Sequence, residues 1–144
     1  GLHARYSDCP LWFSEGIAVY FETPDVSSAK GWSTIGAVNR PRLAQFRDYA
    51  SRRPSDSLLS LLRDGARFRD TSKGLDAYAE AWALTYFLLK QRPKQYIDYL
   101  RTLSTKEPAK SDDPETRVRE FQQAFGPDLK RLDSDFLRYI LRLR

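Results

Sequence analysis

The chain has 144 residues, of which 41% are hydrophobic and 13% aromatic, a composition that favours one globular domain and excludes a disordered chain. Its 24 lysines and arginines are interspersed with 19 acidic residues, so the sequence lacks the concentrated basic face that nucleic-acid binding needs. One cysteine excludes an internal disulfide and a multi-cysteine zinc site, and no apolar run approaches the ~20 residues that span a bilayer.

The sequence does not begin with methionine and contains none. We therefore expect it to start inside a longer protein, whose targeting signal, if it has one, would precede Gly1. Such a signal would place the protein outside the cytoplasm or in the cell envelope. The sequence itself fixes neither the compartment nor the oligomeric state.

Apolar residues recur at helical spacing through most of the chain, so the predicted fold is all-α, a single compact multi-helix domain. The first predicted helix covers 10–23, with Pro10 in its first turn, and the loop after it covers 24–40. The rest of the chain, 41–144, is predicted to form a helical bundle. Its central helix is predicted over 75–91, because apolar residues there lie nearly all round. Further helices are predicted over 41–51, 58–64, 93–104, 114–125 and 129–143.

Glu15 is an unusual residue in the first predicted helix, because it follows the aromatic pair Trp12-Phe13 and precedes Gly16. A buried carboxylate is unfavourable unless it is paired or bound to a metal. Glu15 is therefore a surface residue, half of an ion pair, or a ligand. Gly16 is less favourable in a helix than alanine by about 1 kcal/mol, which is understandable if another backbone or a ligand approaches closely.

The stretch "LWFSEGIAVYFE" resembles the third-ligand helix of gluzincin zinc metallopeptidases, the thermolysin and aminopeptidase class. The aminopeptidase pattern is close to Trp-Leu-Asn-Glu-Gly-Phe-Ala-x-Tyr-x-Glu. The positions that agree with it are Trp12, Glu15, Gly16, Ala18, Tyr20 and Glu22. The resemblance implies that Glu15 is the third Zn²⁺ ligand of a complete domain. Glu22 is either a carboxylate that assists the zinc ligand without binding the metal itself, or a surface residue at the helix end.

A second stretch, "YAEAWALTYFLLK", resembles the aminopeptidase segment whose tyrosine hydroxyl hydrogen-bonds the oxyanion of the tetrahedral intermediate. This resemblance implies a catalytic role for Tyr78, while a core tyrosine with a satisfied hydroxyl is the alternative. The family has a Lys-Gly pair after this tyrosine, where this chain has Glu80-Ala81. As a whole, the chain resembles a bacterial domain-of-unknown-function family with a peptidase-like core.

The His-Glu-x-x-His motif, which supplies two zinc ligands and the general base in gluzincins, is not in the sequence. The only histidine, His3, is followed by Ala4-Arg5. The chain thus resembles the C-terminal helical part of a gluzincin catalytic domain, with the motif expected upstream of Gly1. We expect a peptide or protein substrate and Zn²⁺ in the complete protein, and an inactive fragment that binds no zinc tightly.

Two other functions fit the same sequence. A non-catalytic helical scaffold or interaction module would leave Glu15 in an ion pair or in solvent, with no cleft joining it to Tyr78. Interaction with an acidic partner through the basic segment 129–144 is the other, although the apolar residues of that segment predict packing on the core.

Overall fold

The computed structural model describes residues 9–22, 36–63, 65–105 and 113–144. Over these residues every regular element is a helix and no strand is present, which confirms the all-α prediction. The helices are α1 (Leu11–Phe21), α2 (Arg40–Ala50), α3 (Ser57–Arg63), α4 (Ala66–Arg69), α5 (Gly74–Gln91), α6 (Pro93–Ser104), α7 (Pro114–Phe125) and α8 (Leu129–Leu141). Most of the predicted loop 24–40, like His3, lies outside the described residues.

Polar side chains fix where several helices begin. Asn39, Asp113 and Asp128 each accept a hydrogen bond from the backbone N–H three residues further on, at the starts of α2, α7 and α8. Such a cap satisfies a donor that has no partner inside the helix. The hydrogen bonds from Thr116 also hold the pKa of Asp113 below its ordinary value, since they favour the carboxylate.

The first helix begins one residue later than predicted. Pro10 precedes it, and its carbonyl accepts hydrogen bonds from the backbone N–H groups of Phe13 and Ser14. The helix ends at Phe21, and the backbone N–H of Glu22 closes the last turn on the carbonyls of Ala18 and Val19.

Helix α5 takes the central place in the fold. It contacts α1, α2, α4, α6 and α8, and its residues 79–88 are all buried. A helix that is apolar on every side can bury all its faces only when other helices surround it. Among the described residues no helix is long and apolar enough to cross a membrane.

A cluster of aromatic side chains packs α1 against α6 and α7. Trp12 stacks on Tyr99 of α6 and meets Phe121 of α7 edge-on, with ring centroids 5.8 and 5.7 Å apart. Phe13 stacks on Tyr96 at 5.4 Å. Tyr96 and Tyr99 are almost fully buried, which raises the pKa of both hydroxyls. These rings are core residues, and their contacts fix the orientation of the helix that carries Glu15.

Candidate functional site

Glu15 lies in the middle of α1 and is half-buried. Within the part of the chain that the structure describes, its carboxylate makes no hydrogen bond or ion pair. None of the described residues therefore forms the ion pair that was one of the alternatives for Glu15. The aromatic residues that precede it on the helix, Trp12 and Phe13, are almost fully buried, so Glu15 lies at the edge of the core.

Gly16, the residue after Glu15, lies where α1 approaches α5. A Cβ atom at this position would lie 2.3 Å from the hydroxyl oxygen of Thr85 and 2.7 Å from the carbonyl oxygen of Ala81. The backbones of α1 and α5 thus meet at a distance that only glycine allows. Of the two partners that the sequence suggested for Gly16, a backbone or a ligand, the structure identifies the backbone of α5.

Tyr78 lies on α5, one helical turn before Ala81, or about 4.5 Å along the axis. Its half-buried ring meets Phe68 edge-on at 5.0 Å, and the guanidinium carbon of Arg42 lies 5.7 Å from its centroid. Its hydroxyl has no hydrogen-bond partner among the described residues. Tyr78 and Glu15 therefore belong to one helix pair, α1 and α5, and each lies within one turn of the place where that pair meets.

Glu22 follows the last turn of α1 and is exposed. Two helical turns separate it from Glu15, a rise of about 10 Å, so the two carboxylates cannot share one ion. Exposure favours the surface-residue alternative for Glu22, and its supporting role stays a prediction.

The described residues do not complete a metal site. No three histidine, cysteine, aspartate or glutamate side chains in this part of the chain are grouped so that they could hold an ion. A catalytic zinc needs three protein ligands, and Glu15 offers one. The residues described here therefore do not fit a zinc ion by themselves.

The sequence interpretation missed a buried ionic cluster, which consists of Arg53, Arg67, Glu80 and Asp133. Glu80 on α5 is fully buried. Its carboxylate accepts hydrogen bonds from Nε of Arg53 at 3.0 Å and from Nη1 of Arg67 at 2.8 Å. The guanidinium of Arg53 also donates two hydrogen bonds to Asp133 of α8, at 2.9 and 2.7 Å. Two positive and two negative charges thus balance.

Hydroxyl groups complete this cluster. Ser57 donates to Glu80 at 2.6 Å, and its oxygen lies 2.7 Å from the hydroxyl of Tyr49. Burial by itself would lower the pKa of Arg53, but the hydrogen bonds and charges of Asp133 and Glu80 outweigh it, so the pKa lies above its ordinary value. The cluster and its hydroxyl groups join α3, α4, α5 and α8 with the segment that follows α2.

Residues 1–110 match the family model described as "Protein of unknown function (DUF1570)". The chain belongs to this family. No curated protein and no solved structure matches it. The DUF1570 match confirms the resemblance to a domain-of-unknown-function family, whereas the metallopeptidase relationship stays a prediction.

The DUF1570 segment contains Glu15, Glu22 and Tyr78, together with three of the four members of the ionic cluster. Asp133 lies beyond it, on α8. The buried charges of the family segment are therefore balanced by a helix outside the match.

Proposed function

We propose that this chain is the C-terminal helical part of a gluzincin-type zinc metallopeptidase domain, with Glu15 as the third ligand. The observation that carries the proposal is the half-buried Glu15 carboxylate, which has no partner in the described part of the chain. A carboxylate that is partly withdrawn from water is stabilised by a partner of opposite charge, and a metal ion is such a partner. The two histidine ligands and the general base belong to a His-Glu-x-x-His motif outside these 144 residues.

In this proposal Tyr78 donates a hydrogen bond to the oxyanion that forms when water adds to a peptide carbonyl. Its hydroxyl, which has no hydrogen-bond partner among the described residues, and its place one turn from the α1–α5 contact support this role. The guanidinium of Arg42 over its ring adds positive charge beside the developing anion. Zinc, when bound, would supply Lewis-acid activation of the attacking water.

The test compares zinc content in two proteins, the isolated 144-residue chain and the natural protein that contains it with its preceding residues. We expect about one zinc per molecule only in the longer protein. Glu15→Gln in that protein should weaken zinc binding by more than the roughly 10- to 100-fold loss that follows removal of a ligand's hydrogen-bonding partner. Glu115→Gln, at an exposed glutamate of α7, is the matched control and should bind zinc normally.

Two results would contradict the proposal: a longer protein without zinc, or unchanged zinc affinity in Glu15→Gln. Tyr78→Phe tests the catalytic role separately. We expect it to keep zinc and to lose about 10²- to 10³-fold in kcat on a peptide substrate, as removal of an oxyanion donor does.

A non-catalytic helical scaffold is the second candidate function. The buried ionic cluster favours it, because its charges balance one another and link α4, α5 and α8 with the segment that follows α2. Normal folding and partner binding in Glu15→Gln, together with zinc-free longer protein, would support this function.

A further inference from the structure

A groove lies between the C-terminal end of α5 and the last turns of α8. We call it the α5/α8 groove and define it by Phe87, Arg92, Asp135, Arg138, Tyr139 and Arg142. Its volume is about 440 Å³, within the range of about 300–1,000 Å³ that is typical of ligand sites. It lies beyond the α5 residues that Gly16 approaches, so it is a feature separate from Glu15.

Positive charge dominates the groove. Asp135 is its one acidic residue, and the guanidiniums of Arg92 and Arg138 reach it at 3.5 and 3.8 Å. Both distances exceed the roughly 2.7–2.9 Å of a strong charge-assisted hydrogen bond. Arg142 makes no ion pair with any described residue. One carboxylate is thus shared loosely by two arginines, and the third arginine pairs with no acidic side chain in the described part of the chain.

The surrounding segment has the same sign. Residues 129–144 contain five basic and two acidic residues, so this short segment holds most of the net charge of +5. Arg142 directly follows the C-terminal end of α8, where the helix dipole favours a cation. Arg92 lies between α5 and α6, and its guanidinium is positioned by the Phe87 ring and by Asp135.

Aromatic rings form the apolar side of the groove. The centroids of Phe87 and Tyr139 are 5.7 Å apart, and the guanidinium carbon of Arg92 lies 5.6 Å from the centre of the Phe87 ring. Arginine combines bidentate recognition of carboxylates with packing on aromatic faces. Phe87 is almost fully buried under Arg92, whereas the ring of Tyr139 is half-buried. The groove thus presents donors for an anionic group beside the partly accessible ring of Tyr139.

We propose that the α5/α8 groove binds an acidic peptide segment in which Asp or Glu neighbours an apolar residue. Nucleic-acid binding uses a longer basic stripe than the three arginines of this groove form. A peptide places its carboxylates on Arg138 and Arg142 and its apolar side chain on the half-buried ring of Tyr139. The proposal does not depend on zinc or on Glu15, and α8 lies outside the matched family segment.

Fluorescence anisotropy with the 144-residue chain tests this binding. The probe is the fluorescein-labelled peptide Asp-Glu-Phe-Asp-Leu-Glu, and its counterpart Asn-Gln-Phe-Asn-Leu-Gln is the neutral control. We expect the acidic peptide to bind at least tenfold more tightly than the neutral one and to lose affinity as salt increases.

Charge reversal locates the site. Arg142→Glu should weaken binding of the acidic peptide at least tenfold. Arg131→Glu is the matched control, because Arg131 is an exposed arginine of the same helix that does not line the groove. The peptide affinity of Arg131→Glu should stay within twofold of that of the unchanged chain. The affinity of Arg142→Gln should lie between those of Arg142→Glu and Arg131→Glu. Circular dichroism checks that all three variants are folded.

Three outcomes would overturn the proposal. Equal binding of the acidic and neutral peptides would remove the role of charge. Equal weakening by Arg131→Glu and Arg142→Glu would show a diffuse basic surface instead of a groove. Tighter binding of a single-stranded oligonucleotide than of the peptide, lost in Arg142→Glu, would assign the groove to nucleic acid.

Discussion

Glu80 lies fully buried in an apolar helix, where a carboxylate is stable only because two guanidiniums and a hydroxyl reach it. From the sequence, Glu80 was only a departure from the Lys-Gly pair of aminopeptidases. The structure gives the departure a physical reason: the side chain points into an ionic cluster that joins α5 to three other helices. A charge inside an all-round apolar helix indicates that a partner must exist, but the sequence does not name it.

Replacing Glu80 with alanine should lower the free energy of unfolding by about 3–5 kcal/mol, because it leaves the buried guanidinium of Arg53 without one of its counter-ions. Urea denaturation followed by circular dichroism measures this loss. Glu115→Ala is the control, since Glu115 pairs with Arg63 at the surface and such pairs contribute about 1 kcal/mol or less. Equal losses in the two variants would show that the cluster does not form in solution.

Glu15 differs from Glu80, because the described residues supply no partner for its carboxylate. Its place on a helix and its environment beside Trp12 and Phe13 follow from the sequence, because helical spacing and neighbouring residues are local properties. Its ligand role is a proposal that rests on the resemblance and on the half-buried carboxylate, and the groups that would complete a zinc site are not among the described residues.

At the scale of elements, the contact between α1 and α5 depends on Gly16. The sequence predicted a close approach at this residue, since glycine weakens a helix unless the missing side chain serves a purpose. What approaches is the turn of α5 between Ala81 and Thr85. The hydroxyl of Thr85 is buried there and has no hydrogen-bond partner among the described residues.

Gly16→Ala should therefore destabilise the protein, although alanine favours an isolated helix by about 1 kcal/mol. The new Cβ atom meets the Ala81 carbonyl, a backbone atom that cannot rotate away, and overpacking of this kind typically lowers stability by about 1–3 kcal/mol. Thermal unfolding measures the change. The double variant Gly16→Ala with Thr85→Ala should recover only part of the loss, because it removes the clash with the hydroxyl and leaves the clash with the carbonyl.

A stabilised Gly16→Ala variant would contradict this packing and would mean that α1 and α5 lie further apart. Ala44→Gly on α2 gives the reference for propensity alone, since Ala44 is exposed in mid-helix.

At the scale of the whole molecule, α7 and α8 complete a core that the family match leaves open. The match ends at residue 110, yet Phe121 of α7 packs on Trp12 and Tyr99. Phe136 of α8 packs on Phe46 and Phe87 at centroid distances of 5.4 and 5.7 Å. The two helices thus cover aromatic residues of α1, α2, α5 and α6.

A chain cut after residue 110 should lose cooperative thermal unfolding and its near-ultraviolet circular dichroism, because large aromatic side chains of the core would face water. Phe136→Ala in the whole chain should lower the free energy of unfolding by about 3–5 kcal/mol. Leu141→Ala, at a residue of the same helix that is 45% exposed, is the control and should change it little. A cut chain that unfolds cooperatively would show that the matched segment folds independently.

The sequence by itself determined the helical class, the approximate bounds of the helices and the central place of an all-round apolar segment. These properties follow from the spacing of apolar residues and from capping, which act within a few residues. Only the tertiary structure decided which groups meet: Arg67, Arg53 and Asp133 find their partners across 13, 27 and 80 residues of chain. The physical reason is that burial requires each charge to have a partner of opposite sign, and the packing of the helices selects which one it is.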